Sequence, residues 1–182
     1  MGKSDLRKML DRRMGIADVR EVLRLVESTD CHNLKEVLYE LSFDEDERVA
    51  ANALWVLCNF DADSNEWLYA KLDDLIDRVL HENDVRKIRL LLNLLSLQPY
   101  EKENLRSDFI DFCVGGISAC SMPYAIRALC MKLAYEQMKF YPELLAELKM
   151  VLNMLEQEPL SPGVASAKRQ ILKKIKKQEN RF

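Results

Sequence analysis

The sequence is poor in the residues that interrupt helices. Its 182 residues include only five glycines and five prolines, the two residue types that mark most turns. Their scarcity excludes a fold of many short strands joined by tight turns and indicates long helices instead. The composition, 48% hydrophobic and 31% charged residues, is typical of a globular chain with a sizeable core. We therefore expect one all-α domain over residues 1–182.

The sequence also lacks a long apolar run. The segment MGKSDLRKMLDRR is charged throughout and contains no apolar stretch that could act as a signal peptide. No other run approaches the roughly 18 apolar residues of a membrane span. The cysteines are odd in number and lack C-x-x-C spacing, which argues against a disulfide framework; they are Cys31, Cys58, Cys113, Cys120 and Cys130. A cytoplasmic protein without a membrane partner is expected.

Groups that carry out chemistry are scarce as well. The only histidines are His32 and His81, and together with the scattered cysteines they offer no tetrahedral metal set. The sequence has no G-x-x-x-x-G-K-S/T and no G-x-G-x-x-G motif, so it offers no glycine-rich loop for a nucleotide phosphate. We expect no catalytic residue, no metal and no cofactor.

What the sequence does contain is an internal repeat, which decides the fold. Apolar residues recur 38 positions apart, at Leu34, Leu72, Ile110 and Leu148. The residues three, four and seven positions later are apolar too, which is the spacing of one helix face. They are Val37, Leu38, Leu41, Leu75, Ile76, Val79, Cys113, Val114, Ile117, Val151, Leu152 and Leu155.

A second register lies between these helices and starts at Val49, Ile88, Ile126 and Val164. It has the same spacing, and the polar residues that break it are Asn52 and Lys168. Each period therefore holds two amphipathic helices. We predict stacked hairpins at about 18–42, 46–81, 85–118 and 123–156, and a C-terminal capping helix at about 163–178. An N-terminal helix capped by Ser4 and running to Met14 is predicted to close the other end.

Three helices of the second register open with an aliphatic-Arg pair, namely Val19-Arg20, Ile88-Arg89 and Ile126-Arg127. A fourth helix opens within the segment DERVAANALWVL, residues 46–57. With the period of about 38, these segments resemble HEAT or armadillo-type repeats over nearly the whole chain. The resemblance implies an α-α superhelix of about four hairpins with terminal capping helices. It also implies an extended concave surface for protein partners.

The stretch CSMPY, which begins at Cys120, has two explanations. It resembles part of the signature loop of the adenylosuccinate lyase and fumarase superfamily. The other signature residues are replaced here, so Cys120 itself would have to act as the general base. The repeat instead indicates that the stretch connects two helices, with Ser121 as a cap and Pro123 at a helix start. Ser161 and Pro162 have the same roles one repeat later. We expect a connector and keep lyase activity as the alternative.

Positive charge is concentrated at the C-terminus. Residues 161–182 carry seven cations against the single Glu179, a net charge of +6, so residues 1–160 carry −9. A capping helix with lysines on its outer side explains this charge, and a basic patch for phosphate or an acidic partner is the alternative. The candidate patch residues are Lys168, Arg169, Lys173, Lys174 and Lys177.

Candidate binding residues of the opposite sign lie on the helices of the first register. These acidic residues are Asp74, Asp77, Asp111 and Glu147, and candidate aromatic anchors are Trp55, Trp67 and Tyr69. A HEAT-like alkyl-DNA glycosylase is a further alternative, but an acidic groove would repel the phosphates of DNA. We expect non-catalytic binding of a protein or peptide, with a basic partner favoured and nucleic acid disfavoured. The oligomeric state stays open.

Overall fold

The computed structural model describes residues 2–28, 32–155 and 160–180. Within these ranges the chain forms eleven α-helices and one short 3₁₀ helix, Lys102–Asn104, and no strand. The all-α prediction is confirmed. The α-helices are α1 (Lys3–Leu10), α2 (Ile16–Val26), α3 (His32–Leu41), α4 (Glu47–Leu57), α5 (Ala62–Tyr69), α6 (Leu72–His81), α7 (Val85–Leu95), α8 (Ser107–Ser118), α9 (Tyr124–Met138), α10 (Pro142–Met154) and α11 (Pro162–Glu179).

Helices of the two predicted registers alternate along the chain. We name the helices by their order within a hairpin. The first helices, which carry the second register, are α2, α4, α7, α9 and α11. The second helices, which carry the first register, are α3, α6, α8 and α10. Their bounds fall within one or two residues of the predicted ranges for most hairpins. Cys31 and residue 156, the predicted end of the fourth hairpin, lie outside the described residues.

The chain divides into two compact units, one up to Gln98 and the other from Pro99 onward. In unit 1, which contains α1 to α7, α4 packs against α3 and α7, and α6 packs against α7. In unit 2, which contains α8 to α11, α9 packs against each of α8, α10 and α11. The predicted third hairpin therefore contributes α7 to unit 1 and α8 to unit 2.

The two apolar registers form the core of each unit, as predicted. Burying each large aliphatic side chain contributes about 1.5–3 kcal/mol, so these residues dominate the stability of the helix packing. Fully buried examples in unit 1 are Leu38, Leu75, Ile76, Val49, Leu91 and Leu92, and in unit 2 they are Cys113, Ile117, Ile126, Leu133, Leu148 and Val164. Even Lys168, which breaks the apolar rule, is only 7% exposed.

Side-chain caps begin several helices. Asp46, Asp61 and Asp84 precede α4, α5 and α7, and each accepts backbone N–H bonds at 2.7 to 3.2 Å. Such bonds satisfy donors that have no partner inside the helix. Ser161 accepts from the N–H of Val164 at 3.4 Å, and Pro162 occupies the first turn of α11. The prediction for this helix start is confirmed.

Two other predicted helix starts are wrong in detail. α1 begins after Gly2, whose N–H donates to Asp5 Oδ2 at 3.0 Å, so Ser4 lies inside the helix. At α9 the N-cap is Pro123. Ser121 is not the cap because it lies in a turn closed by the bond from Met122 N to Ala119 O at 3.0 Å.

The predicted length of α1 and the helix count of the second hairpin also need correction. α1 ends at Leu10 rather than Met14, because the backbone oxygens of Leu10 and Arg12 are bound by the side chain of Asn52. The second hairpin contains an additional helix, α5, between α4 and α6. Asp61 begins this helix by accepting from Ser64 N at 2.8 Å.

Candidate functional site

A group of side chains around Tyr39 joins the second helices α3 and α6. Tyr39 OH donates to the carboxylate of Asp74, and Arg78 Nη1 donates to Ser42 Oγ at 2.6 Å. Ser42 Oγ in turn donates to the backbone oxygen of Tyr39 at 2.6 Å. One turn away, Lys71 Nζ lies 3.0 Å from Glu36 Oε1. We call these residues, with Phe43 and Trp67, the Tyr39 cluster.

Aromatic rings and cations stack within the Tyr39 cluster. Lys71 Nζ lies 4.6 Å from the ring centre of Tyr39 and 4.9 Å from that of Trp67, and these two rings meet edge to face at 6.1 Å. The guanidinium of Arg78 lies 3.9 Å from the ring centre of Phe43. Cations over aromatic faces are attracted by the ring quadrupole. The cluster therefore ties α3, α5 and α6 together while Phe43 stays 47% exposed.

Burial and hydrogen bonding fix the protonation of this cluster. Burial raises the pKa of the Tyr39 hydroxyl, and its bond to Asp74 raises it further, because ionisation would place a second negative charge beside the carboxylate. Burial lowers the pKa of Arg78, although a guanidinium stays charged in proteins. Tyr39 is therefore a neutral donor and Arg78 a half-buried cation at neutral pH.

The three predicted aromatic anchors do not form one site. Trp67 belongs to the Tyr39 cluster and is half-buried. Tyr69 is the last residue of α5, and Trp55 lies on the first helix α4; both are half-buried. The backbone oxygen of Trp55 accepts from Asn59 Nδ2 at 2.8 Å. The side chain of Trp67 is built into a group with a predicted acidic residue, Asp74.

The four predicted acidic residues are all exposed but differ in their surroundings. Asp74 is bound by Tyr39. Asp77 lies one turn later on α6, and its backbone oxygen is 2.7 Å from Nδ1 of His81. Asp111 on α8 and Glu147 on α10 belong to unit 2 and form no hydrogen bond or ion pair with any described residue.

Large apolar side chains are exposed on the same helix as Glu147. On α10, Met150 is 60% exposed and Met154 is 65% exposed. They continue the helix face of Glu143 and Glu147, because residues three and four apart share a face. α8 packs against α10 and contributes Asp111 and the half-buried Phe112. We call Asp111, Phe112, Glu143, Glu147, Met150 and Met154 the α8–α10 face.

The predicted basic patch lies on α11. Arg169, Lys173, Lys174 and Lys177 are exposed, whereas Lys168 is buried in the register that faces the core. Lys174 Nζ lies 3.7 Å from Glu136 Oε1 on α9 and 5.1 Å from the ring centre of Tyr135. α11 therefore has an apolar face packed on α9 and a basic outer face.

The CSMPY stretch connects two helices, as predicted from the repeat. Cys120 follows the end of α8 and is exposed, and Tyr124 is the first residue of α9. Cys113 and Cys130 lie on those helices and are buried, and burial raises the pKa of the Cys113 thiol well above its ordinary value. Burial also raises the pKa of Cys58 to about 11.

Gly116 explains how α8 and α9 approach each other so closely. A Cβ atom at this position would lie 2.7 Å from Cys130 Sγ, which is closer than packed atoms allow. At the neighbouring Gly115 a Cβ atom would meet nothing within 4 Å. Of these two glycines, only Gly116 is needed for the packing of α8 against α9.

Residues 2–28, 32–155 and 160–180 contain neither a metal-binding cluster nor a membrane-spanning helix. In these ranges no three His, Cys, Asp or Glu side chains come close enough together to hold a metal ion. Nor does this part of the chain contain a helix that is both long and apolar enough to cross a bilayer.

Several residues of these groups were absent from the sequence prediction. Tyr39, Phe43, Met150 and Met154 all lie outside the apolar register of their helices. Outside that register, Phe43, Met150 and Met154 are exposed, whereas Tyr39 is buried and bonded to Asp74. This offset was the signal that could have identified them, whereas nothing local predicts that Lys71 and Arg78 stack on rings of other helices.

Alternating amphipathic helices with one repeated core register define this chain as a helical-repeat protein of the α-solenoid class. The sequence model of the HEAT repeat domain matches residues 6–175, so the chain belongs to the HEAT repeat family. Repeats of this class expose surfaces that commonly serve as protein-interaction scaffolds. No curated protein and no solved structure matches the chain significantly.

Proposed function

We propose that this chain is a non-catalytic protein-binding module whose second helices present an acidic surface to a basic segment of a partner. The observation that carries the proposal is that charge sign follows helix type in both units. In unit 2, α8 and α10 hold four carboxylates against the single cation Lys149, a net charge of −3. The first helices α9 and α11 hold eight cations against Glu136 and Glu179, a net charge of +6.

Unit 1 has the same separation of charge. Its second helices α3 and α6 hold five carboxylates against Lys35 and Arg78, a net charge of −3. Its first helices α2, α4 and α7 hold six cations against Asp18, Glu21 and Glu47, a net charge of +3. A surface of one sign attracts partners of the other sign and repels phosphate. These charges support a basic protein partner over nucleic acid for the second helices.

The carboxylates of unit 2 are the better candidates for direct contact. In unit 1, Glu36 is paired with Lys71 and Asp74 is bound by Tyr39. Asp111 and Glu147 have no such partner among the described residues, so their charges are available to a ligand. Reversing them should weaken binding without removing any interaction that holds the helices together.

The test compares the wild-type chain with Asp111→Lys/Glu147→Lys on an array of peptides of equal length and graded net charge. The control is Glu45→Lys/Glu103→Lys, which makes the same charge change at two exposed positions outside the second helices. We expect the wild type and the control to bind the basic peptides, with affinity falling as salt rises. The Asp111→Lys/Glu147→Lys variant should lose this binding.

Equal peptide binding by all three proteins would refute the proposal. So would a preference for acidic peptides or duplex DNA that disappears when Lys173 and Lys174 are changed to Gln, because that result assigns binding to α11. The cytoplasmic location and the absence of catalysis remain predictions of the sequence.

A further inference from the structure

We infer that the α8–α10 face binds a bipartite amphipathic helix, with cations on one half of its contacting face and large apolar residues on the other. The inference rests on the proposed function and adds the class of partner segment. It begins with the order of residues along α10, where Glu143 and Glu147, which form no ion pair with a described residue, are followed on one stripe by the exposed Met150 and Met154. The stripe spans about 16 Å, or three helical turns.

The methionines are not used by the fold. The register that packs α10 into unit 2 is Leu145, Leu148, Leu152 and Leu155, all of which are buried. Met150 and Met154 lie on the other side of the helix with most of their surface in water, where apolar area is unfavourable until it is covered. Flexible thioether side chains adapt to varied apolar partners and recur at protein-binding surfaces.

The neighbouring helix α8 also has partly or fully exposed residues of the same two kinds. α8 packs against α10 and adds the half-buried ring of Phe112 and the carboxylate of Asp111. Gly115 lies on the exposed side of α8 and has open space where a side chain would be. A partner can therefore approach the α8 backbone closely at Gly115.

Charge complementarity selects the occupant. Asp111, Glu143 and Glu147 form no ion pair within the described residues, so a segment that covers the methionines must bring cations to the acidic half. Three turns are enough for a helix to place one pair of cations and one pair of apolar residues on a single face. A uniformly apolar segment would desolvate the carboxylates without a partner, which is costly.

The experiment uses two fluorescent peptides of identical composition. The first has two cations and two leucines on separate halves of one helix face, and the second has the same residues redistributed so that the halves are alike. Binding to the full chain is followed by fluorescence anisotropy. We expect the first peptide to bind at least about tenfold more tightly than the second, a difference that corresponds to the covering of two apolar side chains.

Two variants test the apolar half and the acidic half of the face separately. A third variant is the control for the loss of exposed apolar side chains elsewhere. Met150→Ser/Met154→Ser should weaken the first peptide about tenfold or more, and Glu143→Gln/Glu147→Gln should weaken it and flatten its salt dependence. The control is Ile16→Ser/Val85→Ser, which removes two exposed apolar side chains from first helices and should leave binding unchanged. All these side chains are exposed, so circular dichroism melts should be alike.

The outcomes separate this inference from the proposed function. Equal binding of both peptides, weakened only by Glu143→Gln/Glu147→Gln, overturns the bipartite helix and leaves an acidic binding module. No binding of either peptide, with no preference for basic peptides on the array, overturns both. If the wild type dimerises in sedimentation experiments and Met150→Ser/Met154→Ser is monomeric, the face belongs to a second copy of this chain and the inference is wrong.

Discussion

The side chain of Asn52 binds the end of α1, because its Nδ2 donates to the backbone oxygen of Leu10 at 2.8 Å. The same Nδ2 donates to the backbone oxygen of Arg12 at 2.9 Å. The last carbonyls of a helix have no partner inside it, so Leu10 receives its partner from a residue on α4, as does Arg12 in the segment that follows α1. Asn52 breaks the apolar register of the first helices for this reason.

Replacing Asn52 should loosen α1. Asn52→Ala removes both bonds, so we expect the free energy of unfolding to fall by about 1–2 kcal/mol in urea titrations. The amides of α1 should also exchange hydrogen faster than those of α4. Asn153→Ala is the matched control, since the side chain of Asn153 is exposed on α10 and forms no bond with a described residue. A loss of stability as large in Asn153→Ala would contradict this role for Asn52.

The adjacent glycines of α8 should respond in opposite directions to substitution by alanine. Gly115→Ala meets no atom and should stabilise the helix by about 0.5–1 kcal/mol, because alanine loses less conformational freedom than glycine. Gly116→Ala brings its Cβ atom against Cys130 Sγ and should cost about 1–3 kcal/mol. Urea titrations of both variants and of Gly116→Ala/Cys130→Ala measure the effects. The clash is disproved if removing Cys130 Sγ recovers none of the lost stability.

Tyr39 should make the protein sensitive to alkali. Its pKa lies above the ordinary value of 10.0 because of burial and Asp74, so the unfolded chain loses this proton at lower pH than the folded chain. The resulting stabilisation is complete below pH 10.0 and declines as pH rises above it. Urea midpoints measured across this range should fall, and less steeply in Tyr39→Phe. Parallel slopes for the two proteins would show that other groups cause the decline.

The four cysteine thiols that the structure describes should differ in their rate of alkylation. Cys120 is exposed, whereas burial keeps Cys58 protonated by raising its pKa to about 11. Only the thiolate reacts readily. Iodoacetamide at about pH 8 should therefore modify Cys120 first, as read by peptide mass spectrometry. Cys58 and the buried Cys113 and Cys130 should react only after denaturation, and rapid modification of any of them in the native protein would contradict their placement.

The apolar repeat was sufficient to predict the helices that form the core. Its positions recur every 38 residues and are buried almost throughout, because a helix that stacks on both neighbours has one face that must avoid water. α5 was missed for the same reason. It buries only Ser64 and Leu68, so it has no repeated apolar face, and its start depends on the single cap Asp61.

Side-chain partners across helices were harder to predict than the helices themselves. The cation–π contacts of Lys71 join residues from α3 and α5, and their geometry depends on how far the helices are offset along their axes. Hydrophobic spacing gives the direction of a side chain around its own helix but not this offset. The acidic character of Asp74 was visible in the sequence, whereas its use by Tyr39 was not.

The separation of charge between first and second helices has a kinetic consequence. Under the proposed function, the difference in charge between the two helix types would turn a nearby basic segment toward the second helices before any contact forms. Long-range attraction of this kind raises the association rate and is screened by salt, while dissociation depends on the close contacts. Complex formation should therefore slow as ionic strength rises, while the lifetime of the complex, once formed, changes little.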